Sequence, residues 1–171
     1  MRGLLIGLAL ALAVPAWAQT PQQHDWCYSP TATGDQVIEG CTALIQSGRE
    51  TTANQAAAYY NRGQAYRRKG LYDQAIADYS QAIGLKPDDP DAHIGRGVRY
   101  LNKGLYDQAI ADFTRAIALK ADYVIAYDNR GIAYEKKGLR DQAIVDYRAA
   151  LKLDPNWQKA KDGLTRLGVT P

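Results

Sequence analysis

The chain has 171 residues, of which 23% are charged and 46% are apolar. These values fit one soluble globular domain. The formal net charge of +3 gives no whole-chain argument for nucleic acid or an anionic membrane surface as the partner.

Residues 1–18 have the pattern of a secretory signal peptide. A short basic start is followed by an apolar run of eleven residues over 4–14, a proline, and the segment Ala-Trp-Ala at 16–18. This order is typical of an exported precursor cleaved after residue 18, which leaves Gln19 as the new N-terminus. The apolar run is too short for a permanent transmembrane helix. We therefore expect a periplasmic or secreted protein with no stable membrane insertion and no nucleic-acid partner.

Cys27 and Cys41 are the only cysteines of the chain. An even count in an exported protein favours a disulfide bond between them. A metal site with His24 is an alternative, but it is one ligand short of a closed structural zinc site. Two free thiols are the other alternative.

The N-terminal arm, residues 19–55, contains one predicted helix over residues 35–47. Its pattern Asp35-Gln-Val-Ile-x-x-x-Thr-x-x-Ile matches the segment that begins at Asp73, at an offset of 38 residues. This match predicts a degenerate half-unit, a second helix without its first, that caps a repeat array. The alternative is an unrelated amphipathic helix, because the match is short.

Three sequence units follow at a spacing of 34 residues. The segment Gly70-Leu-Tyr-Asp-Gln-Ala-Ile-Ala-Asp recurs unchanged at Gly104 and with two changes at Gly138. Small residues also recur at fixed offsets within each unit, and such a period indicates stacked helix-turn-helix units. The units are 56–89, 90–123 and 124–157. The recurring small residues are Gly63, Gly97 and Gly131; Gly70, Gly104 and Gly138; Ala75, Ala109 and Ala143; and Ala82, Ala116 and Ala150.

With these motifs the sequence resembles the tetratricopeptide repeat family, in an exported bacterial form. The resemblance implies an all-α, right-handed α-solenoid of three units between an N-terminal half-unit and a C-terminal cap. The turn glycines that begin with Gly70 are expected to adopt positive φ. The aspartates that follow them, Asp73, Asp107 and Asp141, are expected to cap the second helices.

Residues 158–171 are predicted to form the C-terminal cap helix and tail. Trp157, Ala160, Leu164 and Leu167 recur at helical spacing, and charged residues fill the opposite face. A polar outer face of this kind protects the end of a repeat array from solvent.

The resemblance implies that the first helices of the units line a concave groove for a protein or peptide. The groove is expected to be basic at one end, where Arg67 and Arg68 would bind a carboxylate, apolar in the middle and mixed at the other end. For each residue the alternative is a solvated helix face. The predicted groove residues are Tyr60, Asn61, Gln64, Arg67, Arg68, Ile94, Val98, Leu101, Asn102, Asp128, Asn129 and Ile132, accompanied by Asp91, Ile125, Glu135 and Lys136.

Some members of the family hold the C-terminal carboxylate of chaperone tails with a fixed set of cationic and amide residues. The matching positions here are Tyr60, Gln64, Gly95, Ile125 and Asn129, and none of them is cationic. This departure, together with export, argues against chaperone-tail binding.

Two arginine patterns stand out in the units. Arg62, Arg96 and Arg130 recur at one position, which predicts a structural salt bridge to a neighbouring helix. Arg99 replaces the alanine of the other two units, Ala65 and Ala133. A buried arginine is costly there, so we expect either that Arg99 extends outward to solvent or that unit two is locally distorted.

No catalytic constellation is recognisable in the sequence. His24 lies in the arm, and His93 occupies the place of Tyr59 and Tyr127, which indicates a packing role. The chain has no phosphate-binding, dinucleotide-binding or zinc-protease motif. The sequence thus predicts a non-enzymatic binding adaptor of the cell envelope without a cofactor. The alternative is a structural subunit that forms a homo-oligomer through its repeat faces.

Overall fold

The computed structural model describes residues 21–170. The predicted signal peptide and its cleavage site lie outside the described residues. Within residues 21–170 there are nine helices and no strand, and no helix is long and apolar enough to span a membrane. The helices are α1 (Pro21–Tyr28), α2 (Gly34–Ser47), α3 (Thr52–Arg68), α4 (Tyr72–Leu85), α5 (Pro90–Asn102), α6 (Tyr106–Leu119), α7 (Val124–Lys136), α8 (Arg140–Leu153) and α9 (Gln158–Arg166).

Consecutive helices pack as antiparallel pairs that stack into a solenoid. The three predicted units are the pairs α3–α4, α5–α6 and α7–α8, and each second helix also packs against the first helix of the following unit. The short helix α9 packs against both α7 and α8. The structure therefore confirms the predicted all-α solenoid of three units with a C-terminal cap helix.

The N-terminal half-unit is accompanied by a short helix. The predicted helix 35–47 is α2, which begins with a capping box between Thr33 and Gln36. The structure adds α1, which packs against α2 in the place of a first helix. Cys27 of α1 and Cys41 of α2 form a disulfide bond. Both cysteines are buried in a small core with Leu44, so the bond attaches a short polar helix to the array.

The first helix of unit one is longer than its counterparts. It begins at Thr52, within the predicted arm of residues 19–55, and the hydroxyl of Thr51 accepts a hydrogen bond from the backbone amide of Asn54. The extra residues in this part of the sequence therefore extend α3 at its N-terminus. The hydroxyl of Tyr28 donates to the carbonyl of Asn54 at 3.2 Å, which connects α1 to this extension.

Glycine and aromatic side chains fix the distance between the two helices of a unit. A Cβ atom at Gly97 would lie 2.7 Å from Cε1 of Phe113, closer than side chains tolerate. Gly63 and Gly131 lie in the same way against Tyr79 and Tyr147. The turn glycines have the predicted positive φ, 73° at Gly70, 74° at Gly104 and 81° at Gly138.

The repeated arginines form a ladder of buried ion pairs, as predicted. Each donates two hydrogen bonds to an aspartate sixteen residues later, on the second helix of its own unit. Each also donates from Nη1 to a hydroxyl on the preceding second helix. The ladder therefore connects three helices at each step. Its members are Arg62 with Asp78 and Thr42, Arg96 with Asp112 and Ser80, and Arg130 with Asp146 and Thr114.

The predicted capping role of Asp73 and its equivalents needs correction. The residues that precede the second helices, such as Leu71, make no side-chain cap, and Asp73 instead pairs with Lys103 of the following unit. Asp107 pairs with Lys137 in the same way. The carboxylates lie in the first turn of each second helix, where the lysine at the end of the next first helix reaches them.

Candidate functional site

A cavity of about 230 Å³ opens on the face formed by the first helices. Its walls come from α3, α5 and the beginning of α7, and Tyr79 of α4 is also part of the lining. The lining residues are Tyr60, Gln64, Arg67, Tyr79, Asp91, Ile94, Gly95, Val98, Arg99, Tyr123 and Ile125.

Hydrogen bonds between neighbouring side chains order part of this lining. Nε2 of Gln64 donates to the hydroxyl of Tyr60 at 2.7 Å, and the hydroxyl of Tyr123 donates to the Asp91 carboxylate. The rings of Tyr60 and Tyr79 lie with centroids 5.8 Å apart at 56°. The acceptor Oε1 of Gln64 is buried without a partner among the described residues.

Tyr79 is fully buried, yet its hydroxyl has no hydrogen-bond partner within residues 21–170. Burial is the main reason that the pKa of Tyr79 rises to about 12. The hydroxyl therefore keeps its proton at physiological pH and is available as a donor. Gly95 makes room for the ring, since a Cβ atom there would lie 2.8 Å from two of its carbons.

Arg99 is only 6% exposed, and its guanidinium carbon lies 5.4 Å from the centroid of the Tyr72 ring. Its Nε and Nη1 atoms have no hydrogen-bond partner in the described part of the chain. Neither expectation for this residue holds. The side chain does not extend to solvent, and α5 continues without interruption from Pro90 to Asn102. Arg99 instead contributes an unpaired buried charge to the cavity lining.

Five of the twelve predicted groove residues line this cavity, namely Tyr60, Gln64, Arg67, Ile94 and Val98. Asp91 and Ile125, which were expected beside them, line it too. These residues come from three successive first helices, so the structure brings together the centre of the predicted groove.

Other predicted groove residues lie elsewhere. Asn61 and Arg68 line a separate depression beside α1, where Nδ2 of Asn61 donates to the carbonyl of Cys27 at 3.1 Å. Leu101 and Ile132 are partly buried against core side chains. Asn102 is exposed at the end of α5, and Asn129 donates to the backbone of its own helix.

Asp128 needs a correction, because it is not an exposed groove residue. Its side chain is buried, with 2% of the residue exposed, and its Oδ1 atom lacks a partner among residues 21–170. Burial is the largest cause of a raised pKa for this carboxyl group. Helix α9 packs against α7 and ends the groove at unit three.

The residues considered for catalysis or metal binding have other surroundings. His93 is buried, with Nδ1 3.2 Å from Asp112 and Nε2 3.2 Å from the carbonyl of Pro87. Cys27 and Cys41 are bonded to each other. Among the described residues, no group of three or more His, Cys, Asp or Glu side chains could hold a metal ion.

Comparison with protein families gives matches along the repeat array. A model described as a TPR repeat matches residues 63–104 and 97–138, and one described as a tetratricopeptide repeat matches 124–156. Together these matches extend over more than half of the chain. The chain belongs to the tetratricopeptide repeat family.

Solved tetratricopeptide repeat structures have the same fold. The Arabidopsis OM64 domain is 27% identical, with a TM-score of 0.67 over 68% of this chain and 97% of that one. The second such domain of human RPAP3, in complex with an HSP70 peptide, is 28% identical with a TM-score of 0.67 over 69% and 98%. MamA is 32% identical with a TM-score of 0.67 over 74% and 71%. No curated protein sequence matches the chain.

Three cavity residues of this tetratricopeptide repeat protein were not expected from the sequence to belong to the site. Tyr79 follows the buried aromatic pattern of Phe113 and Tyr147, which gives no sign of an unpaired hydroxyl. Gly95 departs from the asparagine of the other units, Asn61 and Asn129. Arg99 was recognised as a departure, but its direction depends on the space between helices and is not readable from the sequence.

Proposed function

We propose that this protein is a non-enzymatic adaptor that binds a peptide segment of another protein in the groove of its first helices. The observation that carries the proposal is the central cavity, which combines apolar Ile94 and Val98 with polar groups that have no partner among the described residues. Sites for ligands commonly combine an apolar lining with a few directed polar groups. Two of the similar structures are complexes with HSP90 and HSP70 peptides, which supports a peptide as the ligand.

A random peptide library tests this proposal. Ile125 lines the cavity and is 39% exposed, whereas Val145, which lies outside the cavity lining, is 65% exposed. Both residues are replaced by aspartate, so that each variant adds the same charge at an exposed position. We expect peptides selected on the unaltered protein to bind Ile125→Asp about tenfold more weakly, because the aspartate loses solvation under the peptide. Binding to Val145→Asp should stay unchanged.

The same experiment can contradict the proposal. Equal losses in the two variants, or loss in Val145→Asp alone, would locate binding outside the groove. A library that yields no peptide with saturable binding would remove the proposed function. Circular dichroism of each variant verifies that the helical fold is retained.

We also propose that the adaptor works outside the cytoplasm, in the cell envelope or beyond it. The supporting observations are the signal-peptide pattern of residues 1–18 and the disulfide bond between Cys27 and Cys41, which is a bond of oxidising compartments. The test is the mass of the protein recovered from expressing cells. An N-terminus at Gln19 in the extracytoplasmic fraction is expected, and a full-length cytoplasmic product would contradict the proposal.

Assembly through the repeat faces stays a prediction beside the adaptor function. It is tested by the molecular mass in solution over a wide range of concentrations. A monomer at all concentrations would remove it and leave the adaptor proposal in place.

A further inference from the structure

In unit three, a carboxylate is held by a tyrosine and an arginine from two other helices. The hydroxyl of Tyr147 on α8 donates to Oε2 of Glu135 on α7 at 2.6 Å. Arg166 on α9 donates from Nε to Oε1 at 3.1 Å and from Nη2 to Oε2 at 3.0 Å. Both oxygens of the carboxylate are therefore bound, and the hydroxyl of the buried Tyr147 has its partner.

Unit one has the corresponding donors without the carboxylate. Tyr79 on α4 occupies the place of Tyr147, and Arg99 on α5 lies one residue further along the repeat than Arg166 on α9. Arg67 stands where Glu135 stands in unit three. The residue that would supply the acceptor is thus itself a donor. The Tyr79 hydroxyl and two guanidinium nitrogens of Arg99 have no acceptor among the described residues.

Unit two shows how the repeat resolves the same positions without polar groups. Phe113 replaces the tyrosine, Leu101 replaces the glutamate and Ala133 replaces Arg99. These residues pack with one another in an apolar cluster. A tetratricopeptide unit therefore does not require polar groups here, and the unpaired donors of unit one are a specific feature of its cavity.

The charges around the cavity favour an anion near Arg99. Burial, as the largest cause, and the nearby Arg67 lower the pKa of Arg99, whose positive charge has no paired carboxylate among residues 24–170. Asp91, an acidic member of the lining, already accepts a hydrogen bond from Tyr123. An unpaired buried charge is costly, and an incoming carboxylate would remove that cost by accepting the free hydrogen bonds.

We propose that this cavity binds one carboxylate group of the peptide ligand, in the place that the Glu135 carboxylate takes in unit three, with Arg99 and Tyr79 as its donors. The inference rests on the proposed peptide-binding function and names the chemistry that its groove recognises. The two donors are not the positions at which chaperone-binding members hold a terminal carboxylate, which here are Tyr60, Gln64, Gly95, Ile125 and Asn129. A cavity of about 230 Å³ suits one side chain or chain end rather than a larger cofactor.

Nuclear magnetic resonance titration with small probes tests the inference directly. The first pair of probes is N-acetyl-glutamate amide and N-acetyl-glutamine amide, which differ only in the side-chain carboxylate. The second pair is N-acetyl-alanine and N-acetyl-alanine amide, which differ only in the terminal carboxylate. We expect saturable shifts of the Arg99 Nε–H resonance with carboxylate probes alone. The pair with the larger shift identifies a side chain or a chain end as the source.

Variants at the two arginines distinguish this site from general attraction to positive charge. Arg99→Met keeps much of the side-chain volume, and we expect it to weaken carboxylate binding at least tenfold. The exposed Arg148 serves as the matched control, and Arg148→Met should bind as the unaltered protein does. Arg67→Glu should supply an internal carboxylate as Glu135 does, raise the thermal midpoint and prevent probe binding. Arg67→Gln removes the same positive charge without a carboxylate and should bind within a fewfold of the unaltered protein.

Two results would overturn the inference. One is an equal response of the Arg99 resonance to the charged and the neutral probe of each pair. The other is carboxylate affinity in Arg99→Met within twofold of the unaltered protein. If library peptides bind Arg99→Met normally but not Ile125→Asp, the carboxylate site is wrong and the groove function stands. If the carboxylate probes bind at Arg99 and no library peptide is selected, the site stands and the peptide function fails.

Discussion

Arg130 donates two hydrogen bonds to the carboxylate of Asp146, from Nε at 2.7 Å and from Nη2 at 2.8 Å. The two residues lie on the two helices of unit three, and only 3% of the Asp146 side chain is exposed. Nη1 of Arg130 also reaches Thr114 on α6 at 3.1 Å. One guanidinium therefore joins both helices of its own unit to the preceding unit, and the geometry is repeated at Arg62 and Arg96.

Replacing Arg130 by methionine should destabilise the array strongly. The substitution leaves the Asp146 carboxylate buried without its partner, which typically costs about 3–5 kcal/mol. The free energy of unfolding in urea measures the loss. Arg148→Met, at an exposed residue, should change it by less than about 0.5 kcal/mol. The double variant Arg130→Met with Asp146→Leu should recover part of the loss, because neither polar group is then left unpaired. A single variant as stable as the native protein would contradict a structural role for the ladder.

Reduction of the disulfide should release the N-terminal helix and leave the repeats folded. The bond between Cys27 and Cys41 closes a loop with a sequence separation of 14, for which about 3 kcal/mol of stabilisation is expected. Repeat units depend mainly on their neighbours, so the loss should be confined to α1 and α2. Hydrogen exchange with and without a reductant measures this. The double variant Cys27→Ala with Cys41→Ala should show fast exchange in α1 under both conditions. Uniform deprotection through α8 would contradict the prediction.

Acid should weaken the attachment of the cap helix through Glu135. The hydrogen bonds from Arg166 are the largest cause of a pKa below the ordinary 4.5 of this carboxyl group. Since the folded-state pKa is lowered, the ion pair stabilises the protein above the unfolded-state pKa. That stability is lost as the pH falls below about 4.5 and through the folded-state value.

The measurement is the free energy of unfolding between about pH 7 and about pH 3. Glu135→Gln should be less stable at neutral pH, and the difference from the native protein should shrink in acid. Glu39→Gln makes the same change at an exposed glutamate and serves as the control. A constant difference at every pH would show that the charge of Glu135 does not contribute.

The repeat array was predictable because its physical requirements recur every 34 residues. A small residue such as Gly97 and a turn glycine such as Gly70 are required in each unit for the same reason, so their period reveals the helices. The ion pairing of Arg62 was also predictable from its repetition. Its partner Asp78 was not named, because the pairing depends on how two helices align.

The rest of the site depends on single departures from the pattern and on contacts at the ends. The sequence shows that Arg99 breaks the alanine series, but its direction follows from the space beside Tyr72 and Gly95. The short polar helix α1 has no apolar period that would announce it. Asp128 occupies a groove position in the repeat, and it is buried because the terminal helix α9 packs against its own helix.

The glycine at position 97 should be irreplaceable for a steric reason that separates it from Gly84. Both lie inside helices, where alanine is favoured over glycine by up to about 1 kcal/mol. A Cβ atom at Gly97 would lie 2.7 Å from Cε1 of Phe113 and 3.2 Å from Cβ of Asp112. At Gly84 the same atom meets nothing within 4 Å among the described residues. Gly84→Ala should therefore raise the free energy of unfolding, whereas overpacking should make Gly97→Ala lower it by about 1–3 kcal/mol.

A second substitution tests whether the ring of Phe113 causes the loss. Phe113→Leu removes the atoms that a Cβ at Gly97 would meet, so the cost of Gly97→Ala should be smaller in that background than in the native protein. Gly84→Ala lies on α4, away from this contact, and its effect should be the same in both backgrounds. Urea unfolding of the four combinations measures the coupling between residues 97 and 113. A cost of Gly97→Ala that does not depend on Phe113 would show that the helices separate by some other route than this contact.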